Sequence, residues 1–370
     1  MENKYISFGP CFCGLCNVIM SYEVAFAISY ITKRKIILPP KTWLSHIEKF
    51  VDIWEIFDKD VVKSEFNCVE FEDVPEIKNN INAIKGQRSY TQNISKYIKQ
   101  LHDVTFTNEE NNIDSLSGCN IVLSGKPYNT QDFKDFVGRR KIFYLNFPDK
   151  FIHFEENLFG SFWYYVYPGN SFKRDELKRK INKSFRYKQR FYDLAEKVEE
   201  KLGKYNALHV RRGDFLYAMS DDYLDSVKDG EKILEKILPI IPHNIPLYIS
   251  TDETNLDFFE PLKKFYKIYF YNDFDYDLDN LERAVLEQVI CANSNDFHGS
   301  WLSTYTKRIN VIRGCDGKYA PDWKAYNYNP PLSEIPKLDN PFPWKFRDDG
   351  RWHWNHSWHP QWTFEETDDF

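Results

Sequence analysis

Apolar and polar positions in the first forty residues follow the order strand, loop, helix, strand. Tyr5-Ile6-Ser7-Phe8 reads as a short strand and leads into a loop of small residues from Gly9 to Asn17. Met20, Val24, Ala27, Ile28 and Ile31 then recur at helical spacing, which predicts an amphipathic helix. Lys35-Ile36-Ile37-Leu38 is a second strand, stopped by Pro39-Pro40. Together these make one βαβ unit with a tight first turn. Further strands are expected at Asn120–Leu123 and Lys141–Leu145. A second unit begins near residue 187, where Phe191, Leu194, Val198 and Leu202 line one helix face and Gly203 ends it. Strand Ala207–Val210, a helix over Gly230–Leu238, strands Leu247–Ser250 and Lys267–Phe270, and a helix over Leu281–Cys291 follow. The alternation predicts an α/β fold with parallel sheets and helical crossovers.

The domain boundary is expected between Gly169 and Tyr187, where a Pro-Gly pair meets a lysine- and arginine-rich stretch. That gives an N-terminal domain over 1–180, a second over 181–325 and a tail over 326–370. Six of the ten tryptophans lie after residue 320, with prolines interspersed. The tail therefore reads as irregular and aromatic-rich rather than as one long helix. Its rings could form a sugar-stacking platform or pack across the domains, and packing is the expected outcome.

With 370 residues, 42% apolar and 28% charged, the chain is an ordinary globular sequence of two-domain size. A formal charge of −6 excludes a general nucleic-acid binder, so any bound anion must be held by a local cluster. No apolar run approaches the ~18 residues of a spanning helix, and the polar start carries no secretory signal. A cytoplasmic protein without a membrane span is expected. The seven cysteines are odd in number, and Cys11, Cys13 and Cys16 crowd together. A metal site there would need a distant fourth ligand, so packed free thiols are expected.

The sharpest chemical signal is His209-Val210-Arg211-Arg212-Gly213-Asp214-Phe215. It falls where a predicted strand ends in a loop, the ligand-binding edge of open α/β sheets. Guanidinium groups offer planar forks suited to phosphate oxygens, and Asp214 could pin one in place. A fixed arginine can neutralise a departing diphosphate without a metal. The competing explanation is a structural Arg–Asp pair at a loop.

This heptapeptide resembles the His-x-Arg-Arg-Gly-Asp-Tyr motif of the α-1,2-fucosyltransferases. It is also similar to the His-x-Arg-Arg-x-Asp motif of the α-1,6-fucosyltransferases and the His-x-Arg motif of the protein O-fucosyltransferases. Cys13-Gly14-Leu15-Cys16-Asn17 resembles the Gly-Gly-Leu-Gly-Asn-Gln loop of the same superfamily. Asn295-Asp296-Phe297-His298-Gly299, followed by Ser303-Thr304-Tyr305, is similar to the pattern Ala-Asp-His-Phe-Ile-Gly with its Ser-Thr-aromatic turn. Ile249-Ser250-Thr251-Asp252-Glu253 fits an Ala-Thr-Asp-Glu strand end, whose Asp is expected to order a loop.

The resemblance implies a GT-B fold of two Rossmann-like domains with a facing cleft, and inverting, metal-independent transfer from GDP-fucose. No cofactor is implied beyond that donor substrate. It implies that Arg211 is catalytic and binds the diphosphate. Gly14, Leu15, Asn17, His209, Arg212, Asp214, Asp296, Ser303, Thr304 and Tyr305 are the further donor-binding positions. The expected partners are a GDP-sugar and a glycan or protein acceptor. The alternatives are another nucleotide sugar, such as a mannosyl or rhamnosyl donor, or a non-catalytic sugar-binding relative. Two departures stand out: Val18 occupies the usual Gln position, and the first loop has no Glu base. Residues 41–190 match no acceptor-binding pattern.

Overall fold

In the computed structural model, β1 (Tyr5–Phe8) is the strand on which the N-terminal sheet is assembled. The structure describes residues 4–8, 10, 13–39, 41–70, 73–74, 119–123, 151–154, 164–168, 171–218, 227–300, 303–315, 344–346 and 352–354. The chain divides into two units, Met1–Arg186 with Leu338–Trp354 and Gln361–Phe370, and Tyr187–Lys337 with Asn355–Pro360.

In the first unit, α1 (Leu15–Thr32) follows β1 and returns the chain to β2 (Lys35–Ile37). A hairpin of β3 (Thr42–Leu44) and β4 (Lys49–Val51) comes next, then α2 (Lys59–Glu65) and β5 (Cys68–Val69). After β6 (Cys119–Leu123), β7 (Phe151–Phe154) and β8 (Tyr164–Pro168), α3 (Ser171–Ser184) closes the unit. The strand order is β5-β2-β1-β7, all parallel, with Ile6 opposite both Ile36 and Ile152.

The expected amphipathic helix differs in one respect: α1 is buried almost all round. Val18, Ile19, Met20, Tyr22, Ala25, Phe26 and Ala27 are all within the core, because strands flank one side and α3 lies against another. An edge-to-face cluster of Phe8, Tyr22, Phe26, Phe66 and Phe185 fills that space, with ring centroids 5.0 Å apart for Phe8–Tyr22 and 5.2 Å for Phe26–Phe185. The strand expected at Asn120–Leu123 exists as β6, but it pairs antiparallel with β8 outside the parallel sheet. The one expected at Lys141–Leu145 lies outside the described residues.

The second unit opens with α4 (Gln189–Leu202), which ends at Gly203 with φ 65°. β9 (Asn206–Val210), the short helix α5 (Phe215–Ala218), α6 (Gly230–Ile237) and β10 (Leu247–Thr251) follow. Next come α7 (Glu260–Lys263), β11 (Ile268–Tyr269), α8 (Asn280–Asn293), β12 (Phe297–His298) and α9 (Thr304–Cys315). Strand order is β11-β10-β9-β12, again parallel throughout. All five residues of β9 are buried, as a central strand covered on both faces requires. Leu208 and Val210 join Ile233, Ile237, Ile249, Phe259 and Leu262 on one side. Leu281 and Val285 of α8 are buried as well.

In the tail, β13 (Trp344–Phe346) and β14 (Trp352–Trp354) pair antiparallel and group with the first unit. The rest of the tail, including Trp358 and Trp362, lies outside the described residues. Among the described residues no helix is long and apolar enough to cross a membrane.

Candidate functional site

Parallel pairing of β9 with β10 decides what meets at their C-terminal ends. The last paired residues are Val210 and Thr251, so the register carries Arg211 and Arg212 out of β9 beside Asp252 and Glu253 out of β10. Each guanidinium meets its own carboxylate. Arg211 Nη1 lies 3.1 Å from Asp252 Oδ2, and Arg212 Nε lies 2.9 Å from Glu253 Oε2. Thr251 Oγ1 ties the two strand ends together, donating to the Val210 carbonyl at 2.8 Å and accepting from the Glu253 amide at 3.0 Å.

The two arginines then part company. Arg212 is built into the scaffold: Nη1 donates to the Val227 and Lys228 carbonyls at 2.5 and 3.2 Å, and the guanidinium lies 3.8 Å from the centre of the Phe258 ring. Arg211 is held by acids instead. Its Nη2 donates to Asp214 Oδ1 at 2.7 Å, and Phe215 lies beneath it at 5.5 Å. The expected Arg211–Asp214 pair is therefore present, and Asp214 is its more exposed half, 56% against 19%.

From the other flank, the segment after β12 anchors β9. Ser300 Oγ accepts from the Arg211 amide at 2.7 Å and donates to the His209 carbonyl at 2.9 Å. His209 Nδ1 sits 2.7 Å from Thr306 Oγ1, and its ring lies 4.7 Å from that of Tyr305. Burial, helped by the positive charge of Arg211, lowers the His209 pKa to about 3. The imidazole is therefore neutral at physiological pH and acts as a strut rather than a proton donor. Gly299 is needed here: a Cβ would come within 2.1 Å of Thr306 Cγ2.

Ser303, which is buried, and Thr304 open α9 beside this cluster. The first turn of a helix carries N–H groups without intrahelical acceptors, which suits an anion. Tyr305 takes a more structural place than expected, since its hydroxyl donates to the Ala284 carbonyl at 2.7 Å. Asp296 is the one donor-binding candidate of this unit that the structure carries away from the cluster. Its carbonyl accepts from the Ala207 amide at 2.8 Å, at the N-terminal end of β9. Its carboxylate accepts from the Phe297 amide and lies 3.3 Å from His298 Nε2. With β12 only two residues long, the acid before it sits at the opposite sheet edge from Arg211.

In the first unit, Gly14 is the N-cap of α1, with its carbonyl accepting from the Asn17 and Val18 amides at 3.0 and 3.1 Å. A Cβ on Gly14 would lie 2.5 Å from the His46 ring, so the hairpin turn after β3 requires glycine here. Leu15 is buried, and Asn17 is half-buried with a buried Oδ1. Cys13 and Cys16 are free thiols; Cys11 lies outside the described residues. Among the described residues, no group of His, Cys, Asp or Glu is arranged to hold a metal ion.

Sequence reasoning assigned no site role to Ser300, Thr306 or Glu253. Each lies in or beside a recognised motif, but only the folded chain shows that Glu253 and Ser300 meet the arginine loop and that Thr306 meets His209.

The family model described as GDP-fucose protein O-fucosyltransferase matches residues 5–315. GDP-fucose protein O-fucosyltransferase 2 of Caenorhabditis elegans is 30% identical over 146 residues, 39% of this chain and 33% of the worm protein. The match thus spans about a third of that relative's length. Among solved structures, POFUT1 in complex with GDP-fucose aligns with a TM-score of 0.49 at 17% identity, covering 87% of this chain and 97% of that one. The fucosyltransferase NodZ from Bradyrhizobium aligns with a TM-score of 0.49 at 8% identity, covering 84% and 93%.

Proposed function

This chain belongs to the GDP-fucose protein O-fucosyltransferase family, and we propose that it transfers fucose from GDP-fucose to a hydroxyl of a glycan or protein. The transfer inverts the anomeric carbon and uses no metal. The bond from fucose C1 to the β-phosphate oxygen breaks while the acceptor oxygen bonds C1 from the opposite face. The acceptor hydroxyl releases its proton late, and GDP leaves.

One observation carries this reading: a guanidinium fixed at the C-terminal edge of the second sheet, beside the opening turn of a helix. As the C1–O bond stretches, negative charge accumulates on the diphosphate, and preorganised donors are most effective at such a place. Arg211 supplies a planar fork for that charge. The Ser303–Thr304 turn adds two hydroxyls and the first-turn N–H groups of α9, the Ser303 amide itself being taken by the Ser300 carbonyl. Asp214, the exposed partner of Arg211, is the group that a diphosphate replaces. His209 and Arg212 hold the loop.

Calorimetric titration tests the donor assignment. GDP binds in the micromolar range, and GDP-fucose alone among GDP-mannose and UDP-sugars is turned over. Absence of GDP binding at millimolar concentration would leave a sugar-binding relative as the better description.

A further inference from the structure

We infer that Asp252 is the residue that positions Arg211 for the reaction, an inference that rests on the diphosphate role of Arg211 proposed above. Strand register delivers Asp252 to this place, because β9 and β10 pair in parallel up to Val210 and Thr251. Its carboxylate then works in two directions. Oδ1 accepts from the Arg212 amide at 2.7 Å and so fixes the loop backbone, while Oδ2 lies 3.1 Å from Arg211 Nη1 and fixes the side chain. One rigid group thus sets both where the loop runs and where the guanidinium points.

Gly213 is part of the same device. A Cβ there would lie 2.5 Å from Asp252 Oδ2, so any larger residue displaces the carboxylate. Asp214 is a different kind of partner. It comes from the loop itself, three residues after Arg211, and its side chain is 56% exposed against 26% for Asp252.

Charge counting separates the two acids further. Arg211 and Arg212 face three carboxylates, from Asp252, Glu253 and Asp214, so the resting cluster is net negative. A diphosphate can enter only where one acid yields. Asp214 can swing into solvent without disturbing the backbone. Asp252 cannot, because the Arg212 amide holds it. The guanidinium therefore keeps Asp252 on one nitrogen and presents the other to the donor. Such preorganisation acts on the transition state more than on binding.

Asp252→Asn tests this in the full chain. The amide keeps an oxygen for the Arg212 N–H but cannot accept from Arg211. We expect kcat to fall roughly ten- to a hundredfold, as for a misplaced catalytic contact. Affinity for GDP should hold or tighten, because a negative charge has left the diphosphate's surroundings. A merely structural role would instead weaken binding and turnover together and lower Tm. Gly213→Ala should give the same split between kcat and GDP affinity, and the double variant should be no worse than either single one. If Asp252→Asn is too unstable to assay, Gly213→Ala decides by that split alone. Parent turnover in Asp252→Asn beside an inactive Arg211→Lys would overturn the positioning role, as would multiplying losses in the double variant. Full turnover in Arg211→Lys would remove the diphosphate reading, and the positioning role with it.

Discussion

Two neighbouring arginines with the same charge stand in unlike surroundings, and that difference can be measured. Arg211→Lys keeps the charge but loses the fork, so turnover should fall about a hundredfold or more while Tm stays near that of the parent. Arg212→Lys should do the reverse. A single ammonium cannot serve Glu253, the Val227 and Lys228 carbonyls and the Phe258 face together, so stability should drop by about 1–3 kcal/mol with a smaller loss of turnover. Kinetics and urea denaturation on both variants check this, and equal kinetic losses would mean that both side chains reach the donor. The arginine pair itself was legible in the sequence, because two guanidinium groups at a strand end need anions. Their division of labour was not, since it depends on what β10 and the segment around Val227 bring from far along the chain. Asp296 shows the opposite case: its motif is readable, but a two-residue strand separates it from the sheet edge at which Arg211 stands.

At the level of elements, α8 concentrates the unit's unusual electrostatics. Asp279 and Glu282 form a capping box at its start, and the buried Arg313 guanidinium donates to the Ala292 and Ser294 carbonyls at its end. On its inner face, burial raises the Glu287 carboxyl to about 7, against the opposing pull of Arg283, with the Tyr248 hydroxyl at 3.2 Å. A raised carboxyl pKa contributes stability that is fully present below the ordinary value of 4.5 and is lost as pH rises through about 7. His209 has the opposite sign: its lowered pKa contributes stability above the ordinary 6.5, lost as pH falls toward 3. Between 4.5 and 6.5 the two slopes oppose each other. Glu287→Gln removes one of them, so the variant should gain on the order of 3 kcal/mol relative to its parent between pH 4.5 and 8. Urea melts at pH 5 and pH 8 would refute this by showing the same difference at both. In this unit α4 and α6 were readable from periodicity, because each buries one apolar face, whereas α8 is buried on every side from Val285 to Ala292. The outlier is α1: its periodicity suggested one apolar stripe, and the strands and α3 together bury it on several sides.

For the whole molecule, both units repeat one construction, an open parallel sheet whose first strand becomes central. The alternation of strands and helices made that legible. Residues 41–190 gave no acceptor pattern. Metal dependence is also a property of the whole enzyme. Asp275-Tyr276-Asp277 and Asp277-Leu278-Asp279 both have the bare Asp-x-Asp spacing of a metal motif, but they lie in an acidic loop before a helix, and Asp279 Oδ1 accepts from the Glu282 amide at 2.9 Å as its cap. Activity should therefore persist in excess EDTA, and a strict Mn²⁺ requirement restored on re-addition would contradict the arginine mechanism. The pairing of β9 with later segments reaches into how the protein is made. Arg211 is held by Ser300, 89 residues further on, and His209 by Thr306, 97 residues further on. A ribosome adding about 5–20 residues per second leaves the arginine loop without these supports for on the order of ten seconds. During that interval GDP-fucose has no finished site to bind, so the donor cannot act as a folding template for the emerging strand. A premature stop before residue 300 should yield a chain that no amount of nucleotide rescues, which nucleotide titration of the truncated chain would check.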